Sequence, residues 1–220
     1  MRGNVDALAR TAIAIVGSRR PTTYGLRMAE LLAAGVASRG LVVASGLARG
    51  IDARAHEGAL DVGGLTVAVL GCGLDRDYPR ENTPLAKRIE EAGALVSEFP
   101  PGTEPIATNF PRRNRIIVGL SDAVVIVEAE IPSGTLVTAR WATEESRVLL
   151  AVPGRVLDPT SAGPISLIRD GVKPACTPED IFEELAPERR PHDVTPRAED
   201  QPVPSARRRA SALKNERFSR

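Results

Sequence analysis

Apolar residues recur along the chain in short runs of about five, most of them closed by a turn residue and followed by a stretch of helical spacing. Runs at 12–16, 41–44, 66–70, 94–99, 123–127 and 148–152 read as strands. Segments 24–38, 51–62, 85–91 and 135–145 place apolar side chains at the three-and-four spacing of a helix with one buried face. Strands that are apolar throughout, rather than alternating, are covered on both faces, as in a parallel sheet held between two helical layers. The predicted fold is therefore α/β, Rossmann-like and doubly wound, with a mostly parallel sheet. Right-handed crossovers then bring every strand-to-helix turn to one edge. Open sheets of this kind bind ligands at that edge, outside the carboxyl ends of the strands.

After residue 152 the pattern weakens. Residues 164–169 predict a short helix, 172–175 a last edge strand, and 178–185 a closing helix with Thr177 as its N-cap. The expected organisation is a short extension over 1–10, one domain over 11–186 and a basic tail over 187–220. The tail is rich in Pro, Arg and Ser and nearly free of large apolar residues, so disorder is expected there. A helix at 205–218 that orders on a partner is the alternative.

Composition narrows the classes. With 220 residues and 42% hydrophobic content the chain can bury one sizeable core, and with 3% aromatics that core must be aliphatic. Cys72 and Cys176 lack metal-ligand spacing, which fits a reducing, cytoplasmic setting rather than a disulfide framework. No apolar run approaches the roughly 18 residues of a membrane span, and the start lacks the apolar stretch of a signal peptide. The net charge of +1 is unevenly spread: residues 187–220 hold nine basic and five acidic residues, leaving 20 against 23 in the rest. Net charge thus gives the core no general affinity for nucleic acid, and any such affinity must come from local placement of arginines.

That placement is the main chemical signal. Gly17-Ser18-Arg19 follows the first predicted strand, and Ser45-Gly46-Leu47-Ala48-Arg49-Gly50 the second. Gly71-Cys72-Gly73 with Tyr78, Arg80 and Asn82 follows the third, and Phe110-Pro111-Arg112-Arg113-Asn114-Arg115 opens the helix before the fifth. Glycine permits close backbone approach, helix starts offer unpaired N–H groups, Ser18 adds a hydroxyl, and guanidinium forks match phosphate oxygens. Each turn alone also fits a tight connection with a solvated arginine; their convergence on one edge favours phosphate binding. None matches a dinucleotide fingerprint or a Walker A loop. Asp52 suits the positive end of its helix or orients Arg49. His56, alone on a helix, reads as a packed or capping residue that supports the turn. Tyr78 and Phe110 either stack bases or pack beneath their loops. No catalytic pair, metal cluster or cofactor motif stands among them, so no enzymatic activity, metal or cofactor is expected.

Taken in order, several strings resemble the DNA-processing family called DprA or Smf. They are Gly-Ser-Arg, Ser-Gly-x-Ala-Arg-Gly-Ile-Asp, Gly-x-Gly-x-Asp with Tyr-Pro-x-x-Asn, and Phe-Pro-x-Arg-Asn-Arg-Ile-Ile-x-Gly-Leu-Ser. Val-Glu-Ala, Ser-Gly-Thr-Leu-x-Thr-Ala and Ala-Val-Pro-Gly follow, over residues 11–186. The resemblance implies an extended Rossmann domain that binds single-stranded DNA, protects it and loads the recombinase RecA during natural transformation and recombination. It implies phosphate contacts at Gly17, Ser18, Arg19, Ser45, Gly46, Arg49, Gly50, Tyr78, Arg80 and Asn82. The same role extends to Phe110, Arg112, Arg113, Asn114, Arg115, Ser133 and Gly134. A homodimer through the core is also implied. The small N-terminal helical domain and the C-terminal winged helix of many members are unmatched, so a core-only member or a shortened reading frame is expected.

Two other functions compete. A nucleoside-monophosphate phosphoribohydrolase of the lysine-decarboxylase-like family has a Gly-Thr pair where Gly134-Thr135 lies, but its catalytic glutamate falls where this chain has Val137 and Thr138. Glu144 and Glu145 lie too far along to replace it. A scaffold that binds an acidic protein through the same arginines is the other.

Overall fold

The computed structural model describes residues 1–189. Its sheet has eight strands: β1 (Arg2–Gly3), β2 (Ala12–Val16), β3 (Val42–Ser45), β4 (Thr66–Val69), β5 (Ala94–Val96), β6 (Ala123–Ile126), β7 (Val148–Ala151) and β8 (Lys173–Pro174). Seven α-helices accompany them: α1 (Thr23–Ser38), α2 (Ile51–Asp61), α3 (Thr83–Ala92), α4 (Asn109–Gly119), α5 (Gly134–Glu144), α6 (Ala162–Arg169) and α7 (Pro178–Glu184). The sheet order is β1-β5-β4-β3-β2-β6-β7-β8, parallel throughout except for β1. The predicted α/β doubly wound architecture is the one observed.

The apolar runs explain the layers. In β2, Ile13 and Ile15 face one side and pack with Leu32 and Val36 of α1, Ala55 and Ala59 of α2 and Ile181 of α7. Their neighbours Ala14 and Val16 face the other side and pack with Ile117 and Val118 of α4 and Ala139 and Ala142 of α5. A strand with both faces buried has no position left for a polar side chain, hence the unbroken run.

Sheet order reverses between β2 and β6, which pair in register from Ile13↔Ala123 to Val16↔Ile126. Chain leaving β2 turns toward β3, and chain leaving β6 turns toward β7. The two connections therefore diverge and leave a crevice at the carboxyl edge.

Some boundaries differ from expectation for local reasons. Strand β5 ends at Val96 rather than 99 because Ser97 turns the chain: its hydroxyl donates to Cys72 O at 2.6 Å and accepts from the Phe99 amide at 3.0 Å. Residues 1–10, expected as an extension, supply β1, antiparallel to β5, and a 3-10 turn at Val5–Ala9 that buries Ala7. At the other end Thr177 caps α7 with a reciprocal capping box to Asp180, as its sequence position predicts. The tail beyond Arg189, including the segment 205–218, lies outside the described residues.

Candidate nucleic-acid interface

All the glycine-rich turns stand on the carboxyl edge, with the crevice between the β2 and β6 connections at its centre. It is a groove of about 580 Å³, floored by Arg113 and walled by Gly17–Arg20 on one side and by Ser133, Gly134 and Thr138 on the other.

The first turn is built from within. Ser18 Oγ accepts from the Arg20 amide at 3.0 Å, which leaves its own hydrogen free to donate outward. Behind it, Glu128 at the end of β6 is only 2% exposed and accepts from the Thr22 amide at 2.9 Å and hydroxyl at 2.5 Å. A buried carboxylate thereby holds the start of α1, where the helix dipole favours it. Gly25 makes room for it, since a Cβ there would lie 2.4 Å from the carboxyl carbon. Arg19 and Arg20 project into solvent, and the Arg19 guanidinium covers the Phe110 ring at 5.0 Å.

Phe110 organises the centre. Tyr78 packs on it with ring centroids 5.4 Å apart and planes tilted by 35°, and Arg113 lies 6.0 Å from its centroid. Both rings are half-buried. Packing therefore accounts for them as they stand, with edges left open to the groove.

Arg113 departs most from expectation. It is 3% exposed, and its Nη1 donates to Gly46 O at 2.9 Å and to Val69 O. Asp52, equally buried, accepts from the Gly46 amide at 3.2 Å. A Cβ on Gly46 would fall within 2.5 Å of the guanidinium and 2.6 Å of the carboxylate, so only glycine lets both charges reach this spot. Burial lowers the Arg113 pKa to about 10, with Asp52 opposing the shift; burial likewise raises that of Asp52, with Arg113 opposing. Arg113 is thus a structural cation that lends positive charge to the groove floor, rather than a freely projecting phosphate contact.

Other expected contacts also turn inward. Ser45 is fully buried, its hydroxyl donating to Ile15 O at 2.7 Å inside the sheet. Asn82 donates to Leu47 O at 3.0 Å and ties the third turn to the second. Asn114 accepts from Arg113 Nε at 3.2 Å and reaches toward Gly134 O at 3.4 Å, joining α4 to α5. Gly50 has a φ of 78° and starts α2 beside Ser18 O. Asp52 accepts from the Gly46 amide and acts on Arg113 only through space, while Arg49 pairs with Glu81.

The remaining arginines are exposed. Arg49 is paired with Glu81, and Arg115 with Glu98. Among the described residues no carboxylate pairs with Arg19, Arg20, Arg80 or Arg112. Arg20 was passed over in the sequence, although its adjacency to Arg19 was a usable signal. No spacing pattern announced Glu128 or Thr138, whose settings are tertiary.

His56 is wholly buried beneath the edge. Thr66 Oγ1 donates to Val43 O at 2.7 Å, so in its 2.6 Å contact with His56 it must accept from Nδ1–H. Nε2 then holds a buried lone pair without a partner. Burial, helped by Arg113, lowers the His56 pKa from 6.5 to about 3. Its folded pKa lies below its unfolded one, so the unfolded chain binds the extra proton. Stability is expected to fall as pH drops below 6.5 toward 3. Urea unfolding of wild type and His56→Gln at pH 7, 5.5 and 4.5 checks this. Identical pH slopes for the two would contradict it.

No group of three His, Cys, Asp or Glu side chains among the described residues is arranged to hold a metal ion. No helix among them is long and apolar enough to cross a membrane.

The family described as DNA recombination-mediator protein A matches residues 1–186. Protein Smf of Escherichia coli is 49% identical over 186 residues, covering 84% of this chain and 50% of that protein. The X-ray structure of DprA from Streptococcus pneumoniae superposes with a TM-score of 0.81 at 42% identity, covering 84% of this chain and 65% of that one. DprA from Helicobacter pylori, whose structure is described in terms of a unique single-stranded DNA binding mode, superposes with a TM-score of 0.73 at 34% identity over 78% of each chain. The chain thus spans between 40% and 65% of the length of the curated relatives it matches.

Proposed function

The chain belongs to the DNA recombination-mediator protein A family, and from that membership we propose that it binds single-stranded DNA along the carboxyl edge of its sheet. The observation that carries this reading is the row of exposed arginines without carboxylate partners, Arg19, Arg20, Arg80 and Arg112, on separate turns of one edge. A flexible strand can bring successive phosphates to each turn, whereas a stiff duplex would have to follow their curvature. Phosphate contacts carry no sequence information, so binding is sequence-tolerant.

The role is that of a non-catalytic accessory of transformation and recombination in the cytoplasm. It protects incoming strands, hands them to the recombinase RecA and works as a homodimer through the core. Family membership motivates the recombinase and the dimer. The absence of a glutamate at Val137 and Thr138 weighs against glycosidic hydrolysis.

Titration of a fluorescent dT oligomer, with a duplex of equal length as control, tests the reading. Tighter binding of the single strand is expected, and duplex binding as tight or tighter would contradict it. Competition by a polyanionic protein without competition by nucleic acid would favour the scaffold.

The Arg49–Glu81 pair yields a sharper expectation. Its carboxylate occupies the guanidinium that a phosphate would use, and Arg49 in turn holds the Glu81 pKa below the usual carboxylate range. An exposed pair of this kind is screened by solvent and gives way readily to a competing anion. Glu81→Gln is therefore expected to tighten strand binding by up to about fivefold, read in the same titration. Unchanged or weaker binding would show that Arg49 takes no phosphate.

A further inference from the structure

Arg19 and Arg20 are held between two anchors. On one side Ser18 O accepts from the Ile51 amide at 3.2 Å, which ties the turn to the start of α2. Gly50 permits this approach, since a Cβ there would lie 2.5 Å from the same oxygen. On the other side Thr22 gives its amide and its hydroxyl to Glu128, at 2.9 and 2.5 Å. The Thr22 hydroxyl also accepts from the Gly25 amide at 3.1 Å, so the carboxylate sets the direction of the cap that starts α1. Between the anchors lie only Arg19, Arg20 and Pro21, and the fixed φ of proline leaves little slack.

Glu128 comes from a different element than the turn it holds. It follows β6, and the amide of its neighbour Val127 donates to Val16 O at 3.0 Å, just before the turn begins. It does not line the central groove, it is buried, and among the described residues no cation pairs with it. An uncharged side chain of the same shape would avoid the cost of burying a charge. What a carboxylate does that a carboxamide cannot is accept both Thr22 donors, which fixes that residue in two directions. Its charge also works against strand binding, because it stands behind the arginines that face the phosphates.

We propose that Glu128 is a positioning residue for strand binding: through Thr22 it fixes the direction in which Arg19 and Arg20 leave their turn, without touching the strand. The proposal rests on the strand-binding reading and deepens it.

The sign of one substitution separates this role from plain electrostatics. Glu128→Gln removes a negative charge and preserves shape. On charge alone the variant would bind a fluorescent dT oligomer more tightly, as expected of Glu81→Gln. Positioning predicts the reverse, a loss of about tenfold, the lower end of what one hydrogen bond to a charged group supplies. The titration uses the full chain, with thermal unfolding to show that each variant is folded. A cycle with Arg19→Ala/Arg20→Ala then isolates the coupling. In that background Glu128→Gln should change affinity by less than about twofold, because no guanidinium remains to be aimed. Thr22→Val keeps the amide and drops the hydroxyl, so it should show part of the loss. Thr22→Ser, which keeps both donors, should bind more tightly than Thr22→Val, and this pair carries the test if Glu128→Gln does not fold. Unchanged or tighter binding by folded Glu128→Gln, an equal loss in both backgrounds, or equal affinities of the two Thr22 variants would overturn the proposal while the strand-binding reading stands. A wild-type chain that binds no oligomer would remove that reading, and the proposal with it.

Discussion

Arg113→Ala is expected to destabilise the fold by about 3–5 kcal/mol, the range seen when one member of a buried charge pair is removed. The magnitude follows from what is left behind. Asp52 would lose the stronger of the two cations that oppose its burial, keeping only Arg19, and the carbonyls of Gly46 and Val69 would each lose a charged donor. Those carbonyls stand after β3 and at the end of β4, so the damage spreads to two turns of the binding edge. Urea denaturation should show a lower midpoint with an unchanged slope. Adding Asp52→Ala should recover part of the loss, because removing both charges leaves neither unpaired. A single variant within about 0.5 kcal/mol of wild type would show that the pair contributes nothing. Gly46→Ala should reproduce the defect from the other side, since the space its Cβ needs is occupied by both charged groups.

Arg19→Ala is expected to have the largest effect on binding with little effect on stability. Its guanidinium is exposed and held only over the Phe110 ring, a contact worth about 0.5–1 kcal/mol at such a site. That ring positions it at the mouth of the central groove, across which the proposed strand would run. A hydrogen bond to a charged group is worth about 1.5–3 kcal/mol, so the variant should bind a dT oligomer roughly 10- to 150-fold more weakly. The loss should be similar for every sequence, because the lost contact is to the backbone. A loss confined to particular bases would instead assign Arg19 to base recognition.

The fold was legible where strands are buried on both faces. Runs such as Ala12–Val16 admit one reading, because five consecutive apolar residues have no place on a half-exposed strand. Arg2–Gly3 was not legible: two residues with no apolar side chain carry no period, and what recruits them is the open edge of β5 and the pairing of Arg2 with Glu90 at 2.5 Å. The end of β5 was misread because Val96 through Phe99 remains largely apolar, while the Ser97 hydroxyl decides where pairing stops.

For the site, spacing located the turns but not the direction of each side chain. Arg112 and Arg113 are neighbours in sequence, yet a helix separates them by about 100°, sending one to solvent and one into the sheet edge. Ser45 and Asn82 lie at the expected turns and spend their polar groups on Ile15 and Leu47. Glu128 was visible only as part of a motif, since its purpose depends on Thr22, 106 residues away.

The central claim is that separate turns each hold a phosphate of one strand. The most direct measurement is the slope of log K against log salt for a dT oligomer, with wild type and with Arg19→Ala/Arg80→Ala. Each single-strand phosphate contact contributes about −0.7, so the double variant should bind more weakly with a slope flatter by about 1.4. A folded double variant that retains the wild-type affinity and slope would contradict the claim.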